Sequence, residues 1–136
     1  VARENAARHS VAGRIRFLEG DLFDPLSELD IRGRVDAITA NPPYIRSGDL
    51  PQLQPEVRDY EPGIALIAGP RGTEFHERII RTAPEYLKKS GSLVMEMGIY
   101  QAEKLRRLAE GSGDYDAVRV LKDLAGIERV IAAKKR

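Results

Sequence analysis

Asn41, Pro42, Pro43 and Tyr44 follow a short apolar run from Val35 to Ala40, and these types in this order suit transfer of a methyl group to a planar nitrogen. The lone pair of an amide or exocyclic amino nitrogen is delocalised into a π system. Such a nitrogen attacks a methyl donor only when it is held in one orientation in a dry pocket. Asn41 has a side-chain oxygen that can accept one N–H of the target, and Pro42 a main-chain carbonyl that can accept the other. The Pro-Pro pair stiffens the backbone that presents both acceptors. Tyr44 can lay its ring on the flat face of the target and leave the nitrogen open to the donor. No general base is required, because the proton can leave after the methyl arrives. The same residues also read as a turn that ends a strand, with an aromatic packed beside it.

Alternating helix and strand patterns must position this segment. Val1 to about Arg8 reads as the end of a helix, and Ile15 and Phe17 alternate as a strand that ends at Glu19 to Phe23. Val35 to Ala40 reads as a more continuously apolar strand, as expected where both faces are covered. Thr73 looks like an N-cap, with Glu74 in the first turn and Phe75, Ile79, Ile80, Ala83 and Leu87 on one stripe; Pro84 should kink or end that helix. Ser90 and Gly91 break the chain before a third strand, Leu93 to Met97. A helix with Leu105, Leu108 and Ala109 inward begins near Tyr100 and stops at Gly111. Strands from Tyr115 to Leu121 and Ile127 to Ala133 flank a turn at Ala125 and Gly126.

Strands separated by helices indicate an α/β, doubly wound sheet, whose ligands bind beyond the carboxyl ends of the strands. Asp21 and Asn41 both fall at such ends. The stretch between Tyr44 and Thr73 is long for a loop and rich in Pro and acids. Its centre, Pro55 to Pro62, can wall a substrate cleft and bind a partner, or form a solvated surface whose charges pair among themselves.

Composition narrows the class. The 136 residues allow one domain with a core but are few for an enzyme that also holds a cofactor. A net charge of +1, with Lys and Arg scattered, gives no field for a polyanion, so nucleic acid is not suggested as a partner. The chain has no cysteine, which excludes disulfides and thiolate metal sites and is compatible with a reducing cytoplasm. No apolar run approaches the ~18 residues that span a bilayer, so a membrane location is not expected. His9 and His76 read as isolated surface histidines.

The pattern resembles the HemK/PrmC methyltransferases, which modify the glutamine side-chain amide of peptide-chain release factors. Carrying the resemblance are Arg3 to Ala7, Gly20 to Phe23, Asn41 to Ile45, Pro55 to Pro62, and Ala65 and Leu66 with Gly69. Further on come Glu96, Gly98 and Gln101, then Asp123 to Gly126 with Arg129 and Val130. Asn-Pro-Pro-Tyr alone is shared with methyltransferases of DNA adenine, RNA and ribosomal proteins. The acidic loop and the spacing of Glu96, Gly98 and Gln101 are similar to the release-factor enzymes in particular.

The resemblance implies S-adenosylmethionine as cofactor and a release factor, free of the ribosome, as protein substrate in the cytoplasm. Asp21 and Leu22 match the position against the adenine end of the cofactor, and Asn41 would sit between cofactor and target. Asn41, Pro42, Pro43 and Tyr44 would hold the substrate amide, with Asn41, Pro42 and Tyr44 as the catalytic set. Glu96 and Gly98 are read as structural, at a strand end packed near the site.

The implied fold is a class I S-adenosylmethionine-dependent methyltransferase, a Rossmann-like sheet of seven strands ordered 3-2-1-4-5-7-6. The match begins in the helix after the second strand. Residues 1–136 therefore read as a single domain, the C-terminal portion of that catalytic domain, without its first two strands, its glycine-rich turn or the family's amino-terminal helical domain. The strand near Ile15 to Glu19 should then lie at a sheet edge, separated from the Val35 strand. Without the glycine-rich turn, which lets backbone approach the cofactor closely, the polypeptide is expected to bind it weakly or not at all and to be inactive alone. The alternatives are methylation of a ribosomal-protein glutamine, methylation of a nucleic-acid amino group, or a non-catalytic module stable only by self-association or pairing with another chain.

Overall fold

The computed structural model describes every residue from Val1 to Arg136, in two compact units, Val1–Asp30 and Ile31–Arg136. The first unit begins with helix α1, Ala2–Arg8, as its apolar spacing predicts. Single tight helical turns follow at Ala12–Arg14 and Asp24–Leu26. The strand expected from Ile15 to Glu19 is not formed. Ile15 is extended, at φ −121° and ψ 128°, but the segment joins no sheet. Alternating apolar residues can extend a chain locally, whereas a strand also needs a partner for its amides and carbonyls. Phe17 instead has the Arg3 guanidinium 5.1 Å from its ring centre.

The second unit runs β1 (Val35–Ala40), β2 (Ile45–Arg46), α2 (Pro55–Arg58), α3 (Gly63–Leu66), β3 (Ile67–Gly69), α4 (Glu74–Tyr86), β4 (Leu87–Glu96), α5 (Ala102–Ser112), β5 (Tyr115–Lys122) and β6 (Glu128–Lys135). Four of the strands form one sheet in the order β1-β4-β6-β5. β1 and β4 are parallel, while β6 is antiparallel to both of its neighbours. This is the 4-5-7-6 portion of the order that the resemblance implies. The long stretch after Tyr44 is more ordered than a loop: β2 and β3 pair in parallel across it, with a tight helix at Ser47–Gln52 between them.

α4 and α5 pack on β4, β5 and β6. Ile79, Ile80, Ala83 and Tyr86 from α4 meet Ala102, Leu105 and Ala109 from α5 over the buried Leu93, Met95, Tyr115 and Ile131 of the sheet. Each large apolar side chain buried in this way contributes about 2 kcal/mol. The Tyr115 hydroxyl donates to the Ile80 carbonyl at 2.8 Å, so that β5 is tied to α4 by a satisfied polar group inside the core. Burial raises the Tyr115 hydroxyl above its ordinary pKa.

Several local expectations shift. β1 is an edge strand with Asp36, Ala37 and Thr39 exposed, so the two-sided cover expected of it is not present. α4 continues through Pro84 to Tyr86, and Leu87 opens β4 rather than closing the helix stripe. Ser90 (φ 63°) and Gly91 do not interrupt β4; they lie where its register with β1 slips, between Leu87 opposite Val35 and Ser92 opposite Ala37. α5 passes Gly111 and ends at Gly113, whose φ of 78° is the left-handed stop that glycine accepts.

Candidate active site

β1 delivers Asn41 to the carboxyl end of the sheet, beside the carboxyl end of its parallel neighbour β4, where Glu96 lies. Pro42 is buried, Pro43 and Tyr44 are half-buried, and Asn41 is exposed. The Asn41–Tyr44 segment thus has a buried middle and an exposed residue at its start.

Tyr44 is held at both ends. Its hydroxyl donates to Glu96 Oε1 at 3.1 Å, and its carbonyl accepts from Gln101 Nε2 at 3.0 Å. The Arg129 guanidinium lies 5.6 Å from the Tyr44 ring centre and 3.8 Å from Glu96 Oε1, and Arg129 Nη1 donates to the Met97 carbonyl. Partial burial raises the Tyr44 hydroxyl above its ordinary pKa, and the Glu96 carboxylate it faces raises it further. The phenol therefore stays protonated and keeps donating to Glu96.

Gln101 joins three segments. Its Oε1 accepts from the Gly98 amide at 2.9 Å, and its Nε2 donates to the Gly72 carbonyl at 2.9 Å as well as to Tyr44. Both of its N–H groups are used, which fixes the amide orientation. Gly72, at φ 75°, has to be glycine here: a Cβ would stand 2.8 Å from the Tyr44 carbonyl oxygen and 2.9 Å from Gln101 Nε2.

Behind Gly72, the Thr73 hydroxyl donates to Glu77 Oε1 at 2.7 Å, and Lys104 Nζ reaches both Thr73 Oγ1 and Glu77. Thr73 precedes α4 as expected, but its hydroxyl ties α4 to α5 and does not cap a backbone amide. The adjacent ammonium of Lys104 holds the Glu77 carboxyl below the usual range.

His76 corrects the surface assignment. It is fully buried, and its Nε2 lies 2.7 Å from the Glu96 carbonyl oxygen. Nε2 must donate in that contact, which leaves Nδ1 buried without a partner. Burial lowers the His76 pKa, so the ring is held neutral. The signal was present in the sequence, since His76 shares the helical spacing of Ile79, Ile80 and Ala83. Gln101 and Arg129 came only with the family resemblance, and Gly72 was missed, because the contacts that matter join residues 29 to 57 positions apart.

In the first unit, Asp21 is exposed and Leu22 half-buried. Leu22 has a φ of 47°, in a turn closed by the Asp24 amide on the Asp21 carbonyl. A Cβ on Gly20 would stand 2.3 Å from Pro25 Cγ, so this turn also requires its glycine. An exposed carboxylate, which accepts hydrogen bonds, next to an apolar side chain fits an amino-substituted heteroaromatic ring. In the Pro55–Pro62 segment Arg58 pairs with Asp59 at 2.7 Å, and Tyr60 is 85% exposed.

No protein-family model matches the chain. It is 41% identical over 134 residues to the release factor glutamine methyltransferase of Synechocystis sp., covering 98% of this chain and 44% of that protein. It is 42% identical over 134 residues to the enzyme of the same name from Geobacter sulfurreducens, covering 98% and 45%. The chain therefore spans just under half the length of the curated relatives it matches. Among solved structures, the Mtq2–Trm112 complex of E. cuniculi superposes with a TM-score of 0.56 at 19% identity, over 96% of this chain and 68% of that one. The fold is that of a class I methyltransferase. Within that class, the curated relatives that the chain matches at 41–42% identity are named release factor glutamine methyltransferases.

Proposed function

We propose that the protein carrying this chain transfers a methyl group from S-adenosylmethionine to the side-chain nitrogen of a glutamine in a peptide-chain release factor, and that residues 1–136 supply the C-terminal portion of its catalytic domain. The observation that carries this reading is the doubly anchored Tyr44 at the end of an Asn-Pro-Pro-Tyr segment, in a chain 41–42% identical to enzymes named for that reaction. That substrate would place the protein in the cytoplasm; no helix is long and apolar enough to cross a membrane.

The chain's own residues would hold the target. The exposed Asn41 oxygen accepts one N–H of the glutamine amide and the Pro42 carbonyl accepts the other, which sets the plane of the amide. Tyr44, immobilised by Glu96 and Gln101, offers a ring edge and face that fix how deep the amide enters. With both N–H groups engaged, the nitrogen lone pair has one direction of approach, and the surplus proton leaves to water after transfer. S-adenosylmethionine, when bound, supplies the methyl as a sulfonium electrophile, so that the bond to nitrogen forms as the bond to sulfur breaks. Asp21 would accept from the adenine amino group, Leu22 would pack on the adenine ring, and Asn41 would stand between donor and acceptor.

Transfer of tritiated methyl from S-adenosylmethionine tests this reading with the full-length protein and four acceptors: release factor, ribosomal protein, DNA and RNA. Label in the release factor alone is expected. Label in DNA or RNA would reject the amide in favour of a base.

A further inference from the structure

Beside Tyr44 lies a cavity of about 330 Å³, lined by Arg46, Asp49, Ile99, Tyr100 and Arg129 among others. Tyr100 is 94% exposed and Ile99 48% exposed. Tyr100 occupies the third position of a turn closed by the Gln101 amide on the Gly98 carbonyl at 3.3 Å, with φ at 68°. Glycine or asparagine is favoured at such a position, and a bulky aromatic there is strained. The chain thus places its most exposed aromatic ring on an unfavourable backbone, at the lip of a cavity that shares a wall with the acceptor segment. Strain of this kind clusters at functional sites, although Ser10, Ser90 and Ala117 also have positive φ.

We propose that this cavity is a subsite for the polypeptide flanking the target glutamine, with Tyr100 as the ring on which the flanking segment packs. The inference rests on the proposed glutamine methylation and names the part of the substrate that the site reads. Arg46, Arg129 and Asp49 line the cavity, so residues able to donate to main-chain carbonyls and one able to accept from main-chain amides border it. That mixture suits a peptide, which carries both kinds of group. A nucleic-acid backbone would bring phosphates against Asp49. Tyr44 belongs to both the cavity and the acceptor segment, so the cavity adjoins the segment proposed to hold the amide.

Steady-state kinetics of the full-length protein on an intact release factor, with thermal unfolding recorded in parallel, test this for Tyr100→Gly and Tyr100→Phe. Glycine relieves the backbone strain and keeps the turn, so the thermal midpoint is expected to hold or rise. KM for the release factor should rise about tenfold with a smaller change in kcat, as for loss of an aromatic anchor. Phenylalanine should recover most of that loss. A KM for Tyr100→Gly within twofold of wild type, or a rise matched by a lowered midpoint, would overturn the subsite. Competition by an RNA oligonucleotide that Tyr100→Gly abolishes would also overturn it, by giving the cavity to nucleic acid. A wild type that methylates no release factor, with the fold intact, rejects the glutamine reading itself, and the subsite falls with it.

Discussion

The two ends of the acceptor segment live in different surroundings. Tyr44 is held by Gln101 at its carbonyl, by Glu96 at its hydroxyl and by Arg129 over its ring, all from the well-packed side of the sheet. Asn41 is three residues away and exposed, at the end of a strand that pairs on one side only. The difference divides the work. The Tyr44 end is fixed by its partners, and the Asn41 end is left open to solvent. A rigid anchor next to an exposed amide acceptor is what orientation of a weakly nucleophilic nitrogen requires.

Substitutions at the two ends should therefore fail in different ways. Asn41→Ala in the full-length enzyme is expected to lower kcat by roughly two orders of magnitude with the thermal midpoint unchanged, by analogy with loss of one preorganised polar contact. An unchanged kcat would remove Asn41 from the site and dissolve the contrast. Gln101→Leu acts at the anchored end and should show in both readouts. Two carbonyls and an amide lose their partner, which costs about 3 kcal/mol of stability in denaturant titration, and kcat falls about tenfold as Tyr44 loosens. Full stability in that variant would mean that water replaces the bridge. Tyr44→Phe keeps the ring and the Gln101 contact and loses only the bond to the half-exposed Glu96. A cost of about 1 kcal/mol or less is expected, with kcat within about fivefold.

The smallest effect concerns pH. His76 folds neutral with its pKa lowered by burial, so the unfolded chain takes up the proton first. Stability from this group is full above about 6.5 and declines as pH falls below it. A His76→Gln variant should lose less of its thermal midpoint over that acid range than wild type does. Parallel losses would assign the acid sensitivity to other groups.

The longer elements of the second unit follow local pattern, whereas β2, α2, α3, β3 and the start of β4 do not. Val35–Ala40 is a strand with the ends its apolar run predicts, and the helix bearing Ile79, Ile80 and Ala83 buries that stripe. The strand order came from the resemblance, since nothing in the Tyr115–Lys122 and Glu128–Lys135 segments says that the later one lies inside the earlier. Ile15 and Phe17 misled for the same reason: alternation is local, and pairing is not. The proposed acceptor residues are read from their chemistry. Their support is not, because Gln101 reaches Tyr44 across 57 positions and Gly72 across 29. An isolated imidazole reads as surface, but the spacing of His76 puts it on the core face, where the structure buries it.

The claim on which the rest depends is that Asn41 to Tyr44 orients a protein amide. Peptide mapping by tandem mass spectrometry, after a release factor has been incubated with the full-length protein and S-adenosylmethionine, tests it most directly. The account predicts a single methyl group on the side-chain nitrogen of one glutamine, nearly absent with Asn41→Ala. A methyl group on any other kind of atom, or equal yield from the Asn41→Ala protein, would contradict it.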